Sequence, residues 1–371
     1  MVQPASPSAP SSCAFFHLLG FPSMSGDPFT QAIHGDSFVE DGIDVAPPIH
    51  VTSTYDRSEQ SEMVYRRDRH VTTERLEAVL GALEGGHAVC YPSGLAATGA
   101  VLRHLKPKRV YLSPDVYHGT RWQMSEEAPW ELIDDMGRAG EGDVIWFETP
   151  SNPKALIIDI AEVTAAATEG GARVVVDSTF ATPILQHPLR LGADFVMHST
   201  TKYIGGHSDA MGGVIVAPDE ETAAALRQAR RRDGVIPGSL DAWLTLRGVR
   251  TLPLRIERQC RSAIEIASFL EGRVATVWHP SLASHPGHEV WERQMTLPGA
   301  IIAFEMGAQE AAEAVLARLR VIRNATSLGG VESLIEHRLQ VNPDAPPELL
   351  RLSVGLEASA DLIADLEQAI G

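Results

Sequence analysis

Residues 198–209 read His-Ser-Thr-Thr-Lys-Tyr-Ile-Gly-Gly-His-Ser-Asp, and they follow a short apolar run. Three chemistries fit these residue types. One is a metal site built from His198, His207 and Asp209. Another is a phosphate-binding turn. The third is covalent amine chemistry at Lys202. His198 and His207 are nine residues apart, a spacing that matches no common zinc motif. Lysine is scarce: the chain has four, Lys106, Lys108, Lys154 and Lys202, among 31 basic residues. Lys106 and Lys108 flank a proline in a basic loop and Lys154 follows a turn, as ordinary surface lysines do. Lys202 follows a strand-like run, where a desolvated amine is activated for attack on carbonyls. The plain alternative is one more surface lysine.

Two further features complete a set. Asp177 ends Arg-Val-Val-Val-Asp, and reads equally well as a helix-capping group or a buried functional carboxylate. Pro92-Ser93-Gly94-Leu95 opens a helical stretch, and free N–H groups at a helix N-terminus receive anions, phosphate above all. Ser-Gly before a helix is also a common cap. Glu148 and the turn Pro150-Ser151-Asn152-Pro153 follow another apolar run. Pyridoxal phosphate needs a lysine for its aldehyde, an acid for its pyridine nitrogen and a cradle for its phosphate. Here the order is phosphate turn, acid, lysine, each after a strand.

The elements that must position these groups are legible as alternation. His-Ala-Val-Cys-Tyr (87–91) and the runs near 109, 144, 173, 195 and 213 are short, apolar and rich in β-branched residues. Helical periodicity fills most of the gaps, as in 72–84 before Gly85-Gly86, 93–105 and 159–170. Buried strands alternating with helices make a mainly parallel α/β sheet, with ligands beyond the carboxyl ends of its strands. After about residue 235 the texture changes. Residues 239–272 read as one long amphipathic helix, followed by an apolar run near 301 and two more helices, which points to a smaller C-terminal α+β unit.

Bulk properties exclude several classes. Net charge is −17 over 371 residues, with no basic cluster, which argues against nucleic acid and anionic membrane as partners. No apolar run approaches the roughly 20 residues that span a bilayer. Three cysteines, Cys13, Cys90 and Cys260, form no paired motif, and a reducing, cytoplasmic setting is the expectation. Residues 1–23 carry no Lys or Arg. They read as a disordered tail or as an extension upstream of a start at Met24, not as a targeting signal. No Gly-x-Gly-x-x-Gly follows a strand, so a nicotinamide dehydrogenase is disfavoured.

From about residue 30 onward the sequence resembles the Cys/Met-metabolism (transsulfuration) family of fold-type I pyridoxal-phosphate enzymes. The blocks that carry the resemblance are VVVDSTFATPILQHPLRLGADFVMHSTTKYIGGHSDAMGG, WFETPSNP, ALEGGHAVCYPSGLAA, LDAWLTLRGVRTLPLR, SLGGVESLIEH and LLRLSVGLE. The resemblance implies a cytoplasmic enzyme of sulfur amino-acid metabolism with this cofactor. Lys202 would bind its aldehyde and then move protons. Asp177 would keep the pyridine nitrogen protonated. Ser93, Gly94, Leu95, Ser199 and Thr201 would hold the phosphate. Tyr117 would stack on the ring and share in proton transfer. Arg351 would grip the substrate α-carboxylate, supported by Ser327 and Asn152. Tyr65 and Arg67 fit a motif donated across a subunit boundary, which implies an active dimer and usually a homotetramer of two such dimers. The expected layout is 24–66 as a segment reaching a neighbouring subunit, 67–250 as the large cofactor-binding domain and 251–371 as the C-terminal domain.

The departures bear on the reaction. His70 and Val71 replace the usual Asn-Pro after Arg67, so the local turn should differ. Thr326 stands where related enzymes carry Glu or Tyr. Gly119 stands where methionine γ-lyases carry a reactive cysteine, which argues against that activity. Ser178 follows Asp177 in place of Asn. Arg338 replaces a proline. The block spellings sit nearest cystathionine γ-synthase, with γ-replacement on an activated homoserine. Cystathionine β- or γ-lyase and O-acylhomoserine sulfhydrylase are the alternatives. A non-catalytic protein that kept the fold is disfavoured by the intact Lys202, Asp177, Tyr117 and Arg351.

Overall fold

The computed structural model describes residues 26–39, 44–56, 63–126 and 128–371. The reading of residues 1–23 as a tail or extension lies outside the described residues.

Seven strands build the first sheet: β1 (His87–Tyr91), β2 (Arg109–Leu112), β3 (Glu131–Ile133), β4 (Val144–Glu148), β5 (Arg173–Asp177), β6 (Phe195–His198) and β7 (Gly213–Ala217), in the order β1-β7-β6-β5-β4-β2-β3. Strands β3, β2, β4, β5 and β6 run parallel, and β7 is antiparallel to both of its neighbours. Every residue of β4 and β7 is buried, which explains their unbroken apolar spelling. The sheet is thus mainly parallel and flanked by helices. Helix Val71–Glu84 stops at Gly85, which takes a left-handed φ of 80° at the C-terminal position that favours glycine. Helix Ile160–Gly170 starts under Asp159, whose side chain accepts from Glu162 N at 3.1 Å.

The second sheet comprises β8 (Thr276–Trp278), β9 (Ile301–Glu305), β10 (Arg323–Asn324), β11 (Leu334–His337) and β12 (Leu349–Ser353), in the order β10-β11-β12-β9-β8. The stretch 239–272 corrects one expectation: it is two helices, Ser239–Val249 and Leu252–Leu270. Pro253 lies in the first turn of the second, where a missing N–H costs nothing, whereas inside one continuous helix it would remove a bond and clash. The largest apolar core joins the two sheets. Val196, Val214 and Val216 of the first meet Ile302, Phe304, Leu350 and Leu352 of the second around Ile256, Cys260 and Ile266. Burying one shared core holds β6 and β7 against β9, β11 and β12.

Candidate active site

Lys202 sits in the turn that follows β6, and its Nζ donates to Ser327 Oγ at 3.0 Å. That contact joins residues 125 apart in sequence. Burial, and after it the Arg351 charge, lowers the Lys202 amine to about 8 from an ordinary 10.5. The turn is held from both sides. Arg255 donates from Nη1 to Tyr203 O at 2.7 Å and from Nη2 to Ile204 O at 3.2 Å. Gly206 has a φ of +71°, and a Cβ there would lie 2.0 Å from Arg255 Nη1. Only glycine combines that backbone with that approach, so the expected sharp turn at Gly205-Gly206 has a specific neighbour as its cause. On the other side Gly329 packs so closely that a Cβ would meet Tyr203 N at 2.6 Å.

Asp177 ends β5 and is buried. Its Oδ1 accepts from Thr179 N at 2.9 Å and from Thr179 Oγ1 at 2.5 Å, while Oδ2 takes no hydrogen bond from the described residues. Burial raises this carboxyl, and the two bonds from Thr179 oppose the rise. Glu148 is its cross-strand neighbour on β4. Burial, then the adjacent Asp177, pushes the Glu148 carboxyl well above the usual range. Glu148 Oε1 accepts the Tyr117 N–H at 2.7 Å, which anchors the backbone of Tyr117 beside the carboxylate pair. The sequence places Glu148 at a strand end but gives it no task. Its role depends on strand register, which spacing alone does not encode.

Helix Gly94–Leu105 begins at the same end of the sheet. Ser93 caps it: Oγ accepts from Ala96 N, and the Ser93 carbonyl takes the first helical bond from Ala97 N, each at 3.1 Å. That leaves Gly94 and Leu95 as donors, as the first turn of a helix requires. A Cβ on Gly94 would lie 3.1 Å from Ser199 Cβ, so the turn lies against Ser199. Gly213 backs the same turn, with a would-be Cβ 2.3 Å from Ser93 O. Thr201 is close by, but its hydroxyl donates to Gly212 O at 3.2 Å and accepts from Gly212 N at 3.0 Å. The Ser199 hydroxyl makes no such bond.

Arg351, on β12, is buried and donates to Asn152 Oδ1 at 2.9 Å and to Ser327 O at 3.0 Å. Burial lowers it to about 10, so it stays protonated at neutral pH. Ser327 has a φ of +107°, a strained conformation of the kind found at functional sites. Its two oxygens face Lys202 and Arg351. Tyr117 is 40% exposed, and a Cβ at Gly119 would lie 2.5 Å from its ring. Tyr65 and Arg67 are exposed and stack on each other, with Arg67 Cζ 5.4 Å from the ring centroid. Among the described residues, no hydrogen bond of the Lys202 cluster reaches them. His70 replaces asparagine at the N-cap of helix Val71–Glu84 in extended backbone, and its ring nitrogen lies 2.9 Å from His50 O. His198 and His207 go to separate tasks: His198 Nε2 meets Glu84 Oε2 at 2.9 Å, and His207 Nδ1 meets Gly205 O at 2.8 Å.

These groups fit the three parts of the cofactor: an amine lowered toward neutrality, a buried carboxylate oxygen left over, and free N–H groups beside a free hydroxyl. The sequence profile described as Cys/Met metabolism PLP-dependent enzyme matches residues 29–371. The chain belongs to this family. Its cofactor is pyridoxal 5'-phosphate. A cystathionine gamma-synthase of Mycobacterium tuberculosis is 42% identical, over 95% of this chain and 98% of that protein. A cystathionine beta-lyase of Lactococcus lactis is 38% identical, over 92% and 98%. The crystal structure of metB from Corynebacterium glutamicum superposes with a TM-score of 0.90 at 36% identity, covering 94% of this chain and 99% of that one. The fold is therefore that of the fold-type I enzymes, with a smaller second sheet. No helix among the described residues is long and apolar enough to cross a membrane.

Proposed function

We propose that this enzyme carries out γ-replacement on an O-activated homoserine, joining it to cysteine to give cystathionine. The observation that carries the reading is the 42% identity, across 95% of the chain, to a protein named cystathionine gamma-synthase. Lys202 Nζ would hold the cofactor's aldehyde, and Asp177, with Oδ2 left over, would hold its pyridine nitrogen. Gly94 and Leu95 N–H, with the hydroxyls of Ser93 and Ser199, would hold its phosphate, Thr201 would join them by exchanging its bond to Gly212 O for the phosphate, and Tyr117 would stack on the ring. Asn152 supports both the cofactor and Arg351. When bound, pyridoxal phosphate supplies an electron sink for negative charge at the substrate α-carbon.

Every other task falls to side chains of this chain. Arg351 holds the α-carboxylate, with Asn152 and Ser327 fixing the plane of the guanidinium. Once the substrate amine has displaced it from the aldehyde, the Lys202 amine, buried and so held below the ordinary lysine range, would remove the α-proton and return protons as a general base. Ser327 Oγ, 3.0 Å from that amine, would accept its hydrogen bond and orient it for the proton transfers. The Tyr117 phenol moves a proton at the departing γ-oxygen. Tyr65 and Arg67 reach the phosphate of a neighbouring subunit, which makes the active unit a dimer and the assembly a homotetramer of two dimers in the cytoplasm.

The test is turnover with O-succinyl-, O-acetyl- and O-phosphohomoserine plus cysteine, followed by detection of cystathionine. Cystathionine should form from one of these esters. Release of pyruvate from cystathionine, with no γ-replacement on any ester, would assign β-lyase chemistry instead, the reading favoured by the 38% identical lyase.

A further inference from the structure

Glu336 and Arg351 face each other directly across β11 and β12. Glu336 Oε2 lies 3.1 Å from Arg351 Nη2. An acid in that place opposes the task of Arg351, because a guanidinium neutralised from within attracts a substrate carboxylate less. Arg338, the residue that replaces a proline, lies two positions beyond Glu336 in the turn that ends β11. Its Nη1 pairs with the same oxygen, Glu336 Oε2. All three side chains are buried: Glu336 is 4% exposed, Arg338 5% and Arg351 4%. Glu336 Oε1, Arg338 Nε and Arg351 Nε have no hydrogen-bond partner among the described residues. The buried group therefore holds two cations and one anion, and a surplus buried charge is costly unless a counter-ion arrives. The trio also acts on His118, next to Tyr117: after burial, the Arg338 charge is the largest cause holding that imidazole below its ordinary range.

We propose that Arg338 is a positioning residue: it shares the Glu336 carboxylate with Arg351 and so leaves the Arg351 guanidinium only partly neutralised, with positive charge available for the α-carboxylate of the substrate. Without Arg338, Glu336 turns wholly to Arg351, and the site loses its net positive charge. This rests on the reading of Arg351 as the α-carboxylate group.

The holoenzyme is titrated with L-alanine and with ethylamine, which differ only in the carboxylate, and binding is followed by the cofactor's absorbance. In Arg338→Met the dissociation constant for L-alanine should rise roughly tenfold or more, the scale of one hydrogen bond to a charged group. Ethylamine binding should stay unchanged. The amino-acid KM should rise alongside while kcat holds. Arg338→Lys, which keeps the charge, should retain most of the affinity. The double variant Arg338→Met with Glu336→Gln should regain it, because the competing acid is gone. Glu336→Gln alone should bind L-alanine at least as well as wild type. A double variant as weak as Arg338→Met would overturn the proposal, since it would give Arg338 a direct or merely structural role. Equal weakening toward L-alanine and ethylamine would overturn it too. If Arg351→Met loses no affinity for L-alanine, the failure lies in the reading of Arg351 itself.

Discussion

Raising the pH of the cofactor-free protein from 7 to 9 should speed its capture of pyridoxal phosphate about tenfold and then bring the rate to a plateau. Only a neutral amine attacks an aldehyde, so the rate follows the unprotonated fraction of Lys202. Burial first, and the Arg351 charge second, set that amine at about 8. A group at about 8 is roughly one-tenth neutral at pH 7 and roughly nine-tenths neutral at pH 9, whereas an ordinary lysine near 10.4 would be neutral in only about one molecule in 2,500 at pH 7. The sign is that of a depressed base: the reactive form is favoured as pH rises through 8. Stopped-flow absorbance after mixing with cofactor, repeated from pH 6 to 10, reads the break. Arg351→Met removes one cause of the depression and should move the break upward. Glu336→Gln removes the acid that opposes it and should move the break downward. A rate that climbs about a hundredfold between pH 7 and 9 and is still rising at pH 10, as an unperturbed lysine requires, would show that burial does not depress Lys202.

Three further substitutions probe the scaffold. Asp177→Asn keeps an Oδ1 for Thr179 N and Oγ1, so it should fold and bind cofactor, yet lose on the order of a hundredfold in kcat, the cost of removing one preorganised charge; steady-state assays at saturating cofactor measure this. Gly206→Ala puts a methyl 2.0 Å from Arg255 Nη1 on backbone with a φ of +71°. It should cost about 1–3 kcal/mol for the backbone alone, read as a lower denaturant midpoint. Gly213→Ala drives a methyl to 2.3 Å from Ser93 O and should displace the Gly94–Leu95 donors, weakening cofactor binding roughly tenfold or more. Equilibrium dialysis against pyridoxal phosphate checks it.

Much of this was legible because local chemistry and tertiary role coincide. The strands β4, β5 and β7 spell themselves as apolar β-branched runs, since both of their faces are covered. Lys202 stands out because lysine is rare in this chain, and Asp177 because an acid ending a buried strand needs a reason to be there. Pro253 was visible too, but periodicity on either side of it reads as continuous, and only the bend between the two helices reveals the break. The strands β8 and β10, of three and two residues, are too short to carry a period. Glu148, Glu336 and Arg255 stayed silent for a different reason. Glu148 matters because it lies opposite Asp177, Glu336 because it lies opposite Arg351, and Arg255 because its helix delivers it to the carbonyls after Lys202. Register and docking decide those meetings, and neither is written in the spacing of one segment.

Lys202 is the residue on which every proposed step depends. Borohydride reduction of the holoenzyme fixes the attached group in place, and digestion with peptide mapping by mass then finds it. The pyridoxyl mass should fall on the peptide containing Lys202, and reduction should abolish turnover. The same mass on Lys106, Lys108 or Lys154, with Lys202 unmodified, would show that another lysine holds the cofactor.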